Sequence, residues 1–201
     1  MAPSADFIYG EMQDASYYYF NTAPQWQKFN NGNWANVENS VRKYAMKHIK
    51  NLKVQTGTFQ ILQLSSISSS NKDTEEEDEK FSNVALGKNS NIPVPLYFWK
   101  LVFNPDQNQA IAFIGINHPI LKDIDGIPIK YDLCPNESES LCEDMGWKFR
   151  NRNKAKKGLL YCCSYQSLRL KIPWILNFSN QSQTQDANND NTIGLLDFKN
   201  V

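Results

Sequence analysis

Between Asn21 and Lys43 the chain reads NTAPQWQKFNNGNWANVENSVRK. Asn21, Asn30, Glu38 and Arg42 are the side chains in it that could do chemistry. Amide and carboxylate oxygens are hard ligands of the kind Mg2+ takes, and that ion keeps several waters and needs few protein groups. A guanidinium beside such an ion can grip a phosphate. One amide ligand, a nearby carboxylate and an arginine are therefore the parts of a phosphodiester site. The same residues also have a plainer use. Glu and Arg four apart make a helix-surface pair worth a few tenths of a kcal/mol, and Asn-Asn-Gly makes a turn.

Positioning these groups falls to a helix predicted from Trp34 to about Asn51. Trp34, Val37, Val41, Ala45 and Ile49 recur at three- and four-residue steps and form one apolar face. Glu38 and Arg42 flank that face, and Asn33 is placed to cap the N-terminus. Upstream, Tyr17-Tyr18-Tyr19-Phe20 reads as a strand. Residues 21–33, rich in Asn, Gly and Pro, read as irregular. Strands are expected over 52–64 and 96–116, the second span turning at Asn104-Pro105-Asp106. Between them lies a polar stretch with five carboxylates from Glu75 to Glu79, best read as a solvated loop. Residues 164–171 suggest a short helix ahead of Pro173. The sum is one α+β domain over 1–178, followed by a polar, mobile tail over 179–201.

The 201 residues suffice for one domain whose folding buries roughly 70% of the unfolded surface. No apolar run approaches the ~20 residues of a membrane span, so no membrane partner is expected. Formal charge is zero, so a polyanion partner must be met by a local patch or a bound metal. Lys148 to Lys157 (KFRNRNKAKK) is such a patch, with Lys148, Arg150 and Arg152 as candidate phosphate contacts. No recognition helix or finger motif suggests sequence-specific readout. Cys134, Cys142, Cys162 and Cys163 lack zinc-site spacing. Adjacent cysteines rarely bridge each other, so Cys162 and Cys163 are expected to pair with Cys134 and Cys142 in two disulfides. Asn-x-Ser triplets at Asn136, Asn177 and Asn180 agree with a secreted glycoprotein.

The block from Asn21 resembles the DNA/RNA non-specific endonuclease family, a ββα-metal (His-Me finger) group. The matching elements are Asn21-Thr22-Ala23-Pro24-Gln25, then Asn30, Gly32, Trp34, Glu38 and Arg42 at the family's spacings. VPLYFWKLVF, AIAFIGINHP and KGLLYCC resemble the secreted arthropod-type branch. The resemblance implies a ββα-metal fold with a central antiparallel sheet flanked by helices. It implies Mg2+-dependent hydrolysis of DNA and RNA without sequence preference, Mn2+ being the alternative ion. It implies that Asn30 is the direct metal ligand and that Glu38 holds the metal's waters. By the same resemblance Arg42 steadies the phosphate, and Asn21 lines the cleft and orients the general base.

That base is where the chain departs from the family. The family's histidine stands in Arg-Gly-His, directly ahead of a segment like Met1-Ala2-Pro3-Ser4-Ala5-Asp6-Phe7. The catalytic histidine is thus expected just before Met1, with the first strand of the motif cut short. His48 lies ten residues beyond Glu38, about 15 Å along the helix and on another face. His118, in INHP, reads as structural. The alternative to an active nuclease is a nucleic-acid-binding remnant of the same fold, and after that a disulfide-stapled secreted domain.

Overall fold

A computed structural model describes residues 2–18, 21–48, 52–66, 80–89, 91–121, 127–178 and 193–198. Its centre is an antiparallel sheet in the order β1 (Lys53–Ile61), β6 (Pro95–Asn104), β7 (Gln109–Ile116), β8 (Leu159–Cys163). β9 (Gly194–Leu195) continues the β8 row and runs parallel to the start of β7. Two short ladders stand apart, β2 (Gln63–Ser66) with β3 (Lys80–Asn83) and β4 (Ala85–Leu86) with β5 (Ile92–Pro93). The helices are α1 (Gly10–Ala15), α2 (Gln27–Phe29), α3 (Ala35–His48), α4 (Leu141–Asp144) and α5 (Tyr165–Lys171). The mixed architecture agrees with the α+β expectation.

The runs LYFWKLVF and QAIAFIGI contain almost no polar residues because β6 and β7 are buried on both faces. Side chains alternate between those faces. Trp99, Leu101 and Phe103 join one cluster with Ala112, Ile114, Tyr161 and α5's Leu168. Val102, Ile111 and Phe113 join the other, under Val37, Val41 and Tyr44 of α3. The same alternation resolves the adjacent cysteines. Cys163 points into the first cluster and bridges Cys134, while Cys162 points into the second and bridges Cys142. The two disulfides thus staple opposite faces of one strand.

Several expectations change. Tyr17 and Tyr18 are not in a strand: they form turns behind α1, donating their N–H groups to Asp14 and Ala15. Both are largely exposed to solvent, and β-propensity acts through packing on a sheet face rather than through the backbone alone. Tyr19 and Phe20 lie outside the described residues. Ahead of α3 no described residue is in a strand, so the ββα arrangement implied by the resemblance is not seen there. The helical run also starts earlier than expected. It begins at Gln27, passes through a wide π-type turn at Asn30–Trp34 kinked at Gly32, and enters α3. Asn33 is therefore no N-cap. It is fully buried and donates through Nδ2 to the carbonyls of Asn151 (2.7 Å) and Gly158. Glu75 to Glu79 and 179–192 lie outside the described residues. Residues 193–198, assigned to the tail, instead return to the core, where Leu196 O accepts from Trp147 Nε1 at 3.1 Å.

Phe29, Trp34 and Phe98 form a small edge-to-face aromatic cluster, with centroids 5.7–5.8 Å apart. It fits because Gly115 and Gly158 carry no side chains. A Cβ on Gly115 would lie 2.4 Å from Phe29, and one on Gly158 would lie 2.1 Å away. Gly158 also holds φ +79°, which disfavours any other residue. Gly158→Ala is expected to cost about 3 kcal/mol through combined backbone strain and overpacking. Thermal or urea unfolding checks this; an unchanged midpoint would show that the slot yields freely.

Candidate active site

A cleft of about 300 Å3 opens between the N-terminal segment, the 21–25 segment and the start of α3. Asn21, Asn30 and Glu38 all line it, with Ala2, Ser4 and Gln25 among their neighbours. The resemblance treats the first three as one site, and the fold brings them together. Asn30 is exposed at the first residue of the π-type turn. Glu38 is half-buried, in the second turn counted from Trp34.

Asn21 acts as a clamp. Its Oδ1 accepts from Ala2 N at 2.9 Å, and its Nδ2 donates to Ala2 O at 2.9 Å and Ser16 O at 2.7 Å. It thereby fixes the backbone of Ala2 at the cleft wall. The 21–26 segment is anchored in turn by Asn117, which is fully buried. Asn117 Nδ2 donates to Pro24 O (3.1 Å) and Pro95 O (2.9 Å), and Asn117 Oδ1 accepts from Trp26 N at 3.0 Å. Its position after an apolar strand in QAIAFIGIN was a signal open to sequence reading, since a polar residue there must find partners.

Arg42 lies outside the cleft lining, one turn beyond Glu38 on α3. Its Nε donates to Asp6 Oδ1 at 2.7 Å and its Nη1 to Asn39 Oδ1 at 2.6 Å. Asp6, which sequence reading did not single out, therefore ties the N-terminal segment to α3. The pair is partly exposed, so its worth is positional more than energetic.

Lys100 is the other missed residue. On β6 it shares a face with Phe98 and Val102, which turns it toward α3, and only 2% of it is exposed. Its Nζ lies 6.0 Å from the centre of the Trp34 ring. Burial pushes the Lys100 ammonium below the ordinary lysine range, while Glu38 and Asp6 oppose that shift. Glu38 shows the mirror image: burial raises its carboxyl pKa, and the positive field of Lys100 is the strongest influence holding it down. The Glu38 carboxylate and the buried Lys100 ammonium thus act on each other's titration in opposite directions to burial.

The basic strip is split by the fold. Lys148 and Arg150 are exposed, but Phe149 between them is buried against Phe113 and cannot stack on a base. Arg152 Nε donates to Glu143 Oε1 at 2.6 Å. None of the three basic residues lines the cleft. His118 lies in a neighbouring groove, and the cleft contains no histidine among its described residues.

The donor set suits a hydrated hard cation. Among the described residues no three His, Cys, Asp or Glu side chains cluster as a metal cage. An exposed amide with one carboxylate is instead the sparse set that Mg2+ accepts. Gln25 Nε2 is buried at the same cleft with no acceptor among the described residues, so a phosphate oxygen or an ordered water would satisfy it. Lys100→Met is expected to move the Glu38 titration midpoint to higher pH, because the main influence lowering it is removed. Carboxyl-carbon NMR of Glu38 measures this; an unmoved midpoint would mean that Lys100 does not face Glu38.

Comparison with known proteins fits this geometry. The family model for DNA/RNA non-specific endonucleases matches residues 1–168. A salivary endonuclease of Lutzomyia longipalpis is 34% identical over 190 residues, covering 92% of this chain and 41% of that protein. A salivary endonuclease of Culex quinquefasciatus is 27% identical over 162 residues, covering 79% of this chain and 39% of that protein. Salivary protein Tsal1 of Glossina morsitans morsitans is 24% identical over 170 residues, covering 84% and 38%. The chain therefore spans about two-fifths of the length of these relatives. No solved structure gives a significant match. With the family model covering most of the chain and a salivary endonuclease at this identity, the chain belongs to the DNA/RNA non-specific endonuclease family, in its arthropod salivary branch.

Proposed function

We propose that the cleft is a site for Mg2+-dependent, sequence-nonspecific hydrolysis of DNA and RNA, with Mn2+ as a working substitute. The observation that carries this reading is the convergence of Asn21, Asn30 and Glu38 on one cleft beside the Ala2–Ser4 backbone. Asn30 and the water shell held by Glu38 would carry the ion. Bound there, it supplies electrostatic stabilisation of the developing phosphate charge and of the leaving oxygen. Arg42, one turn beyond Glu38 and held by Asp6 and Asn39, would steady a phosphate that reaches past the cleft lining. Lys148 and Arg150 track the backbone outside the cleft, and Arg152 does so less because Glu143 holds it. Backbone contacts of this kind carry no sequence information.

The general base enters from the N-terminal side. Asn21 clamps Ala2 at the cleft wall, which supports a base supplied from that side of the cleft. Two disulfides and the salivary relatives support secretion, and the exposed Asn136 suits a glycan acceptor. The alternative, binding without hydrolysis, is favoured by one observation: the described cleft has no histidine of its own.

The test compares this chain with a version extended upstream through Arg-Gly-His, on plasmid and double-stranded RNA. The extended protein is expected to cleave both with Mg2+ and to stop in EDTA. This chain alone is expected to be about 10²–10⁴-fold slower, the usual contribution of a general base. Asn30→Ala or Glu38→Gln in the extended protein should cost on the order of 10²-fold or more. An extended protein that leaves both substrates intact, or is indifferent to both substitutions, would overturn the reading.

A further inference from the structure

Behind the cleft lies a second groove, of about 430 Å3. Trp26, Lys28, Phe29, His118, Lys156 and Gly158 are among its lining residues. The aromatic cluster is the partition between the two: Phe29 lines the groove, while Trp34 and Phe98 line the cleft. The two sites are also neighbours along the chain: Asn30 N donates to Trp26 O at 2.9 Å, so their backbones stand about 6 Å apart along the helix axis.

Three features give this groove a ligand chemistry. Trp26 is 40% exposed, a large apolar surface left in contact with water. Its backbone is nevertheless fixed, because Asn117 Oδ1 holds its N–H and Asn117 Nδ2 holds Pro24 beside it. A half-exposed indole on an anchored backbone offers a face for stacking. Lys28 and Lys156 are both exposed and come from different elements, α2 and the 155–157 turn, so positive charge lies on two sides of the groove. His118 is half-buried and accepts through Nδ1 from Ile120 N at 3.4 Å, with its ring 5.7 Å from that of Tyr131, which gives the floor a polar edge. The end of the basic strip that the cleft does not use thus has a place in the fold.

We infer that this groove is a nucleotide subsite for single-stranded nucleic acid, where Trp26 stacks on an unpaired base and Lys28 and Lys156 hold the adjoining phosphate. The inference rests on the nuclease reading, since it adds a neighbour to a phosphate bound at the cleft. Base–aromatic stacking needs an unstacked base, and every base has a face to offer. The subsite therefore favours single strands over duplexes without imposing sequence.

Fluorescence anisotropy with a labelled oligo-dT strand and its dT·dA duplex, in EDTA at low salt, tests this on the full chain. Trp26→Ala is expected to weaken single-strand binding about 5- to 100-fold and duplex binding less than about threefold. Trp26→Phe, which keeps a stacking ring, should hold single-strand affinity within about threefold of the unmutated protein. Lys28→Gln and Lys156→Gln should each weaken single-strand binding and lower its salt slope by about one. The two lysine variants alter only exposed side chains, so they read the site even if Trp26→Ala misfolds. Single-strand binding that survives Trp26→Ala, or that falls equally for the duplex, overturns the subsite and leaves the nuclease reading standing. An unmutated chain that binds neither probe also overturns the subsite, and the Mg2+-dependent cleavage assay then decides the nuclease reading on its own.

Discussion

Phe29 occupies space that two missing β-carbons leave open. Gly115 on β7 and Gly158 ahead of β8 let its ring settle onto the sheet beside Trp34 and Phe98. That contact fixes where α2 ends and where the π-type turn begins, and so where Asn30 stands. It also brings the 155–158 turn close enough for Asn33 to reach the carbonyls of Asn151 and Gly158. A third glycine, Gly32, lets the turn pass over Lys157, whose carbonyl a Cβ would meet at 2.8 Å. The cleft and the groove behind it are the two sides of this one packed unit. Interiors at this density do not deform continuously, so displacing the ring displaces both sites.

The electrostatic design follows from the strand. β6 is buried on both faces, so a charged residue on it must lie under a neighbouring element, and alternation puts Lys100 under α3. Burial raises the Glu38 carboxyl pKa, and the buried Lys100 ammonium is the strongest influence opposing that rise. The same alternation sends consecutive cysteines to opposite faces, where each closes a loop around its own core. Among the described residues the N-terminal segment joins no sheet. It is held by side chains instead: Asn21 on Ala2, and Arg42 on Asp6.

What could be read from residues alone was what depends on local pattern. The apolar stripe through Val37 and Val41 marked α3, the long apolar runs marked β6 and β7, and residues 164–171 marked the short helix that the fold shows as α5. The grouping of Asn21, Asn30 and Glu38 came from motif spacing, and the fold brings them to one cleft. What was missed depends on distant partners. Asn33 looks like a cap because its type suits one, yet it is spent on residues 118 and 125 positions away. Tyr17 and Tyr18 look like strand because they are aromatic, yet no neighbouring strand receives them. Asp6, Lys100 and Asn117 stand far from the motif in sequence, and only the sheet and its helix bring them to its residues.

The central claim is that Asn30 and Glu38 together hold a divalent cation in this cleft. Mn2+ broadens NMR signals near the site where it binds, so a titration of the chain followed through backbone and side-chain amides tests the claim without requiring turnover. The account predicts that the first signals to vanish are the Asn30 side-chain amide and the amides of Asn21 and Glu38, and that Mg2+ restores them by competition. Broadening centred elsewhere, for instance on Glu75 to Glu79, with the cleft signals intact, would contradict it.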